Sequence, residues 1–496
     1  MRDLFREGLQ LGESLARLPW KAARRLVKGR SETLERAADL GERLGSLPFR
    51  AAGGLVGGGE GRPGAPTGSP GPGRARSGPA GGPRPGSPRA RIVVLGAGYA
   101  GLTCFLELQD HLPRSYDLVL VNADRYHWFT TELHTYVAGS TEDAVRVPLP
   151  RIVARPGRLI VDRVAAVHPE RREVALEQGG PLSYDLLVFA LGSEPEYFGL
   201  PGVEEHALIV GNWQGATRLR RRVQELLGGE RPGERPQIVI AGGGLTGVEV
   251  AGELADQYPG RARLTILEAG PEIMAGFDRE LVQVSRRVLE AKGIRILTGS
   301  PIIAVDERAV HLKGGEELSY DLLVWAGGVR GNGLLARAGL AVTPRGRGIV
   351  DPYLRSVTDD RLYLVGDSAA FTDPETGREV PPTAQAAVQM GHTAGRNILR
   401  RLQGRPEQPF TFRKKGAFAS LGKDEGVGQI GEEHFAGLPA MMVKHLIEGH
   451  HAWEMGSGLL PLVRRLIRVP VGYLTTRRRG CRLTPTPRRA PDPKVR

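Results

Sequence analysis

The sequence predicts an α/β fold built from two similar halves, and three observations carry that prediction. From Arg91 onward, short apolar runs alternate with amphipathic stretches of helical period, the pattern of parallel strands joined by helices. The segment RIVVLGAGYAG at 91–101 is echoed by QIVIAGGGLTG at 237–247. The hexapeptide SYDLLV occurs twice, at 183–188 and 319–324, and runs first into Phe189-Ala190-Leu191-Gly192 and then into Trp325-Ala326-Gly327-Gly328. Repetition at matching points marks a duplicated unit.

At 496 residues the chain is long enough for two to four domains. Its 40% apolar and 25% charged content is that of a globular protein. The only cysteines, Cys104 and Cys481, exclude a disulfide scaffold, a four-thiolate metal or iron–sulfur site and a CxxC pair, and a reducing compartment is expected. No stretch of 18 uninterrupted apolar residues is present, and charges stand where a signal peptide would be apolar. The net charge of +13 lies at the ends: +8 in residues 1–90 and +10 in 461–496, leaving a slightly acidic body. A nucleic-acid enzyme would carry basic groups on its folded body, so the distribution argues against nucleic acid and for an anionic membrane surface.

Residues 1–50 read as an amphipathic helical segment. Leu4, Leu11, Leu15, Leu18, Ala22 and Leu26 recur at helical spacing opposite Arg6, Arg17, Arg24 and Lys28, with Pro19 a kink. Residues 51–90 hold 14 Gly and 8 Pro and read as a flexible linker.

Within the folded body the first glycine motif is Gly96, Gly98 and Gly101, after the run Ile92–Leu95 and ahead of a helical stretch. Such a turn lets backbone approach a pyrophosphate, and the helix N-terminus supplies N–H groups and dipole. The next strand ends at Asn122, where an acidic residue usually meets the ribose; an amide can still bond a hydroxyl. The second motif is Gly242, Gly244 and Gly247, and its following strand ends at Glu268, the same 26 residues beyond the first glycine. A carboxylate there accepts from both ribose hydroxyls and repels a 2′-phosphate, which predicts NADH over NADPH. Each half is thus a Rossmann-like dinucleotide-binding unit. Two such sites in one chain call for two ligands, a flavin and a nicotinamide that passes it a hydride. The segment TDDRLYLVGD at 358–367 adds an apolar strand ending in Gly366 and Asp367, suited to the ribityl hydroxyls of FAD.

Together, GAGYAG, SYDLLVFALG, GGGLTGVE, ILEAG, SYDLLVWAGG and LYLVGD resemble the two-dinucleotide flavoproteins of glutathione-reductase-like fold. Pro382-Thr383-Ala384-Gln385-Ala386-Ala387-Val388-Gln389 resembles the AQxAxQ quinone-site motif of type II NADH:quinone oxidoreductases. YHWFTTELH at 126–134, KGAFASLG at 415–422 and the basic C-terminal end are also similar to that family. The resemblance spans about 91–485. It implies that Gln385 and Gln389, one helical turn apart, flank the flavin and the quinone head, with Ala384 in the cofactor-binding set. It implies that Glu249 lies near nicotinamide and flavin, and that Lys444 lines the quinone tunnel. The absence of a cysteine pair disfavours the sulfide:quinone and disulfide-reducing relatives.

A membrane quinone requires the protein to reach the bilayer. Between Leu459 and Leu474, Leu460, Val463, Leu466, Ile467, Val471 and Leu474 share one face, Arg465 and Arg468 point away, and Arg477, Arg478, Arg479 and Arg482 follow. This is the pattern of an interfacial helix, although a core- or dimer-packing helix has the same pattern and leaves a homodimer open. The expected organisation is an FAD-binding domain of 91–210 and 345–405, an NADH-binding domain of 211–344, and a C-terminal quinone- and membrane-associating region of 406–496. The expected function is a peripheral flavoenzyme on the cytoplasmic face of the inner membrane that oxidises NADH and reduces a quinone without pumping protons. The alternatives are a soluble reductase of a protein acceptor such as a ferredoxin, and a flavin- and NADH-binding sensor.

Overall fold

The computed structural model describes residues 90–229 and 235–455. The amphipathic segment expected at 1–50, the linker up to residue 89 and the basic amphipathic stretch from Leu459 lie outside them.

The first half opens with β1 (Arg91–Leu95), α1 (Tyr99–His111) and β2 (Asp117–Asn122), passes through a short helix α2 (Leu133–Val137), and adds β3 (Gly157–Val161) and β4 (Leu186–Phe189). The second half comprises β5 (Ala207–Ile209), α3 (Trp213–Leu227), β6 (Gln237–Ala241), α4 (Leu245–Gln257), β7 (Arg263–Leu267), α5 (Arg279–Ala291), β8 (Ile294–Leu297) and β9 (Leu322–Trp325). The chain then returns to the first sheet with β10 (Leu362–Leu364) and continues into α6 (Ala384–Leu402). The sheets run β10-β4-β1-β2-β3 and β5-β9-β6-β7-β8, every pairing parallel. Strands covered on both faces read as unbroken apolar runs, as Ile92–Leu95 and Ile238–Ala241 do.

The duplicated motifs occupy equivalent places. Each SYDLLV copy feeds the strand beside the one that leads into its half's glycine turn, β4 against β1 and β9 against β6. Since β2 and β7 lie on the opposite side, each glycine turn sits where the connections diverge, the place where open α/β sheets bind ligands.

The units divide slightly differently from the boundaries expected at 210 and 344. Strand β5 (Ala207–Ile209) already pairs with β9 in the second sheet, and Leu334 and Leu335 already pack in the first core. The crossing is made by an antiparallel ribbon of Ser193–Pro195 with Val329–Gly331. Trp128 of the first half also stacks on Trp213 of α3, ring centres 3.8 Å apart.

Beyond α6, the strands β11 (Ala417–Ser420), β12 (Gly426–Ile430) and β13 (Glu433–Ala436) form an antiparallel meander followed by α7 (Leu438–Glu454). Ala419, Leu421 and Val427 join the second core. Leu421 reaches α4 only because residue 252 is glycine; a Cβ there would lie 2.4 Å from the Leu421 carbonyl carbon. No helix among the described residues is long and apolar enough to cross a membrane.

Helix α6 lies unusually close to α1. A Cβ on Gly391 would stand 2.4 Å from the Ala100 carbonyl oxygen, and one on Gly395 2.9 Å from the Glu107 Cβ. Gly391→Ala should therefore destabilise the fold by about 1–3 kcal/mol through overpacking. Gly314→Ala, where a Cβ meets nothing within 4 Å, should be close to neutral; chemical denaturation of the two variants checks the contrast.

Candidate functional site

The two glycine turns have the same construction. Gly96 and Gly242 hold φ of +92° and +114°, and a Cβ on either would strike the Ala190 or Ala326 carbonyl oxygen at 2.5 and 2.3 Å. Gly101 and Gly247 touch those turns so closely that a Cβ would come within 2.0 and 1.9 Å of the Gly96 and Gly242 oxygens. Gly98 and Gly244 differ: a Cβ on either meets nothing within 4 Å. No internal contact demands those middle glycines, and the space in front of each turn is open. Both sit at the N-cap of a 13-residue helix with no side-chain cap, leaving first-turn N–H groups for an anion. The chain thus fits two pyrophosphates.

Asn122 and Glu268 pin these turns. The Asn122 Oδ1 accepts from Ala97 N at 2.9 Å while its Nδ2 donates to the Asp124 and Tyr126 carbonyls. The Glu268 Oε2 accepts from Gly243 N at 2.7 Å and its Oε1 from Gly270 N at 2.6 Å. Each strand-end residue bonds the amide after its first glycine. Asn122 has spent both amide hydrogens on the protein, whereas the Glu268 carboxylate keeps acceptor capacity for ribose hydroxyls. His127, fully buried, bonds the Ala97 carbonyl through Nδ1 at 2.7 Å, and burial pushes its pKa down to about 4. It is therefore neutral and donates that bond.

The Gly366–Ser368 turn follows β10. Gly366 has φ +66°, and its position lies against Ala100 of α1 and Ala387 of α6. Asp367 accepts from Ser193 Oγ at 3.0 Å, and burial raises its carboxyl pKa. Arg347, 5% exposed, holds the turn by donating to the Asp367 and Ala369 carbonyls and pairs with Glu379. The first glycine turn, the Gly-Asp turn and the start of α6 thus meet at one point.

Thr383 caps α6 by accepting from Ala386 N at 3.2 Å, which fixes Ala384, Gln385 and Gln389 on its first turns. The two glutamines have unequal duties. Gln389 grips Arg413 twice, accepting from its N–H and donating to its carbonyl, both at 3.0 Å, and donates to the Gln385 carbonyl as well. Gln385 accepts from Lys415 N at 2.9 Å, which leaves its Nε2 hydrogens for a ligand. The segment they hold leads directly into β11 and Ser420.

Glu249 lies there, buried on α4. Its Oε1 accepts from Ser420 N and Oγ at 3.2 and 3.3 Å and stands 3.3 Å from Lys444 Nζ of α7. Its Oε2 is 3.7 Å from His134 of α2. Lys444 also pairs with Glu448 at 2.7 Å and Glu132 at 3.7 Å. Burial alone would depress the Lys444 ammonium, but Glu448, Glu249 and Glu132 outweigh it and hold its pKa well above the ordinary value. Burial would raise Glu448, yet Lys444, with hydrogen bonds from His445 and Glu132, holds it well below. The cluster adjoins the first glycine turn: Tyr99, which opens α1, bonds Thr131 at 2.8 Å, and its ring lies 4.8 Å from that of His451 on α7.

Residues 90–391 match the model of the pyridine nucleotide-disulphide oxidoreductase family. The chain is 30% identical over 391 residues to the type II NADH:quinone oxidoreductase of Staphylococcus saprophyticus, covering 74% of this chain and 96% of that one. It is 31% identical over 390 residues to that of Staphylococcus aureus, with the same coverage. The chain belongs to the type II NADH:quinone oxidoreductases. The fold is shared with NDH2 of Plasmodium falciparum solved with NADH, at a TM-score of 0.68 and 18% identity over 77% of this chain and 98% of that one. It is shared too with the sulfide:quinone oxidoreductase of Aquifex aeolicus, at 0.63 and 19% over 74% and 91%. In this NADH dehydrogenase Cys104 is fully buried in α1 and burial pushes its thiol up, away from the reactive thiolate.

Sequence reasoning named Glu249 and Lys444 separately, and the structure brings them into contact. It missed Glu132, His134, Ser420 and Glu448, although the first three lie in segments singled out at 126–134 and 415–422. It also missed Arg347 and Ser193, whose role depends on contacts across the fold. Lys444→Leu would strand buried carboxylates, and a loss of roughly 3–5 kcal/mol in urea unfolding is expected. The contribution of Glu448 is present above its unfolded pKa of ~4.3 and is lost as pH falls through its lower folded value. That of Lys444 is present below ~10.4 and is lost as pH rises through its higher folded value. Unfolding measured across pH should show a plateau between these limits.

Proposed function

We propose that this oxidoreductase binds FAD in its first half and NADH in its second, and reduces a membrane quinone beside α6. The observation that carries the reading is the pair of middle glycines, Gly98 and Gly244, which face open space at matched turns. Gly96, Gly98, Gly101 and the start of α1 would hold the FAD pyrophosphate, with Asn122 fixing the turn, Asp367 and Gly366 at the ribityl chain, and Ala384 at the start of α6. Gly242, Gly244 and Gly247 would hold the NADH pyrophosphate and Glu268 its ribose hydroxyls. When bound, FAD supplies two-electron transfer between nicotinamide and quinone.

The protein's part is positioning, exclusion of water and proton handling. Gln385 Nε2 donates to a quinone carbonyl, while Gln389 keeps the 413–415 segment in register. Glu249, held among Ser420, His134 and Lys444 at the end of that segment, relays the proton. Lys444, on its other side, keeps the carboxylates compensated and donates toward the quinone. The quinone and the basic stretch beyond Leu459 support work at an anionic membrane surface, on the cytoplasmic face of the inner membrane as a peripheral protein.

The deciding experiment is anaerobic. NADH should bleach the flavin absorbance of purified protein, and a short-tailed quinone should restore it faster than oxygen does. Bleaching without restoration by quinone would favour a protein acceptor, and no flavin spectrum would overturn the reading. Two variants locate the sites. Glu268→Ala should raise the KM for NADH about tenfold or more, since a hydrogen bond to a charged group contributes ~1.5–3 kcal/mol. Gln385→Ala should slow restoration by quinone while bleaching by NADH stays unchanged in stopped-flow traces.

A further inference from the structure

The overall reaction, NADH + H⁺ + quinone → NAD⁺ + quinol, sets a requirement on the fold. The hydride carries two electrons and one proton, but quinol needs two protons. One proton per turnover must come from solvent, yet Glu132, Glu249 and Lys444 are 5%, 8% and 7% exposed. Some group has to connect them to the outside.

Helix α4 carries a candidate one turn beyond Glu249. Glu253 is 6% exposed and, among the described residues, takes no hydrogen bond and makes no ion pair. Its carboxyl oxygens are not among the sealed, unpartnered side-chain atoms of the described residues, so this nearly buried carboxyl keeps a narrow contact with water where a protein partner would otherwise be needed. Its neighbours form a graded sequence. On the inner side are Glu249 and, from α7, Lys444, both close enough to act on its charge; residues i and i+4 of a helix stand about 5–6 Å apart at Cβ, so the two carboxyls are neighbours on one face of α4. On the outer side is Asp256, whose side chain is 23% exposed and paired with Lys292 at 2.5 Å. Asp256 also accepts from Lys423 N at 2.9 Å, and Glu425 joins Lys292 at 3.2 Å with 34% exposure. Glu253 thus lies between a sealed charged cluster and a solvent-touching one.

We propose that Glu253 carries the solvent proton to Glu249, as the inward step of quinol formation; this rests on the quinone-reducing reading above. A proton passes from water at the Asp256–Lys423 mouth to the Glu253 carboxylate, then to Glu249, then to the reduced quinone oxygen, and Glu253 is left to be reprotonated from outside. The surroundings tune it for this. Burial is the largest influence and raises its pKa to about 7, Lys444 and Lys423 opposing, Asp256 and Glu249 reinforcing. The other ionisable groups packed around α4 are His134 from α2, Lys292 after α5, and Glu448 from α7. A carboxyl that titrates near neutrality both takes and yields a proton without a steep cost.

The test uses the FAD-loaded full chain and the variant Glu253→Gln, which keeps size and polarity but cannot carry a proton. Single-turnover flavin reduction by NADH should match the native rate. The quinone-driven reoxidation should slow about tenfold or more at pH 7 and lose the break near pH 7 expected of the native protein. In the infrared, a protonated-carboxyl C=O band titrating near pH 7 should be present in the native protein and absent from the variant. A native reoxidation rate, a retained pH break, or an infrared band unchanged by the substitution would each overturn the proposal. Should Glu253→Gln fail to fold, Glu253→Asp keeps the carboxyl and decides the matter: the break and the band must persist at a shifted pH, and their staying unshifted overturns the assignment. Failure of the native protein to turn over any quinone would instead overturn the parent reading, and the infrared titration separates that case.

Discussion

Two chain reversals without room for a side chain organise this protein. At Gly96 and Gly242 a strand gives way to a helix in a turn so tight that the carbonyl of the neighbouring strand occupies the place of a Cβ. The reversal aims the uncapped start of each helix at the space above the sheet. The third glycine of each motif lets the helix settle on the turn, and Asn122 or Glu268 ties the amide that follows the first. Sheet order, helix direction and the place where an anion binds therefore follow from one local constraint used twice.

Much of this was legible in the chain. The glycine spacing and the repeated SYDLLV announced two equivalent units, and four strands of each sheet share one order, β4-β1-β2-β3 and β9-β6-β7-β8, whereas the fifth differs: β10 follows the other strands of its sheet in the chain and β5 precedes those of its own. Legibility stopped where function depends on convergence. Glu132, His134, Ser420, Lys444 and Glu448 come from segments more than 300 residues apart at the extremes, and no spacing links them. The ribbon of Ser193–Pro195 with Val329–Gly331, which joins segments far apart in the chain, has no counterpart in any sequence pattern. The unequal duties of Gln385 and Gln389 were also unreadable, since both are glutamines on one helical face and only the partner at Arg413 distinguishes them.

The buried charges show how the protein reconciles chemistry with stability. Three carboxylates around one ammonium would be costly if that partner were missing: Glu132 from the turn before α2, Glu249 from α4 and Glu448 from α7 itself all pair with Lys444 of α7. Assembly of the cluster thus requires docking of the C-terminal helix. The cluster is complete only when segments of both halves and the C-terminal helix are all in place.

The stack of Trp128 on Trp213 has an optical consequence. Two indoles with ring centres 3.8 Å apart and planes 12° from parallel couple their electronic transitions, and one belongs to each half of the molecule. The pair is a built-in ruler: hinge opening between the halves would uncouple the transitions and alter the near-ultraviolet circular dichroism. Arg220 reaches across to the Tyr136 and Ser140 carbonyls beside it, so opening the halves would break those bonds together with the stack.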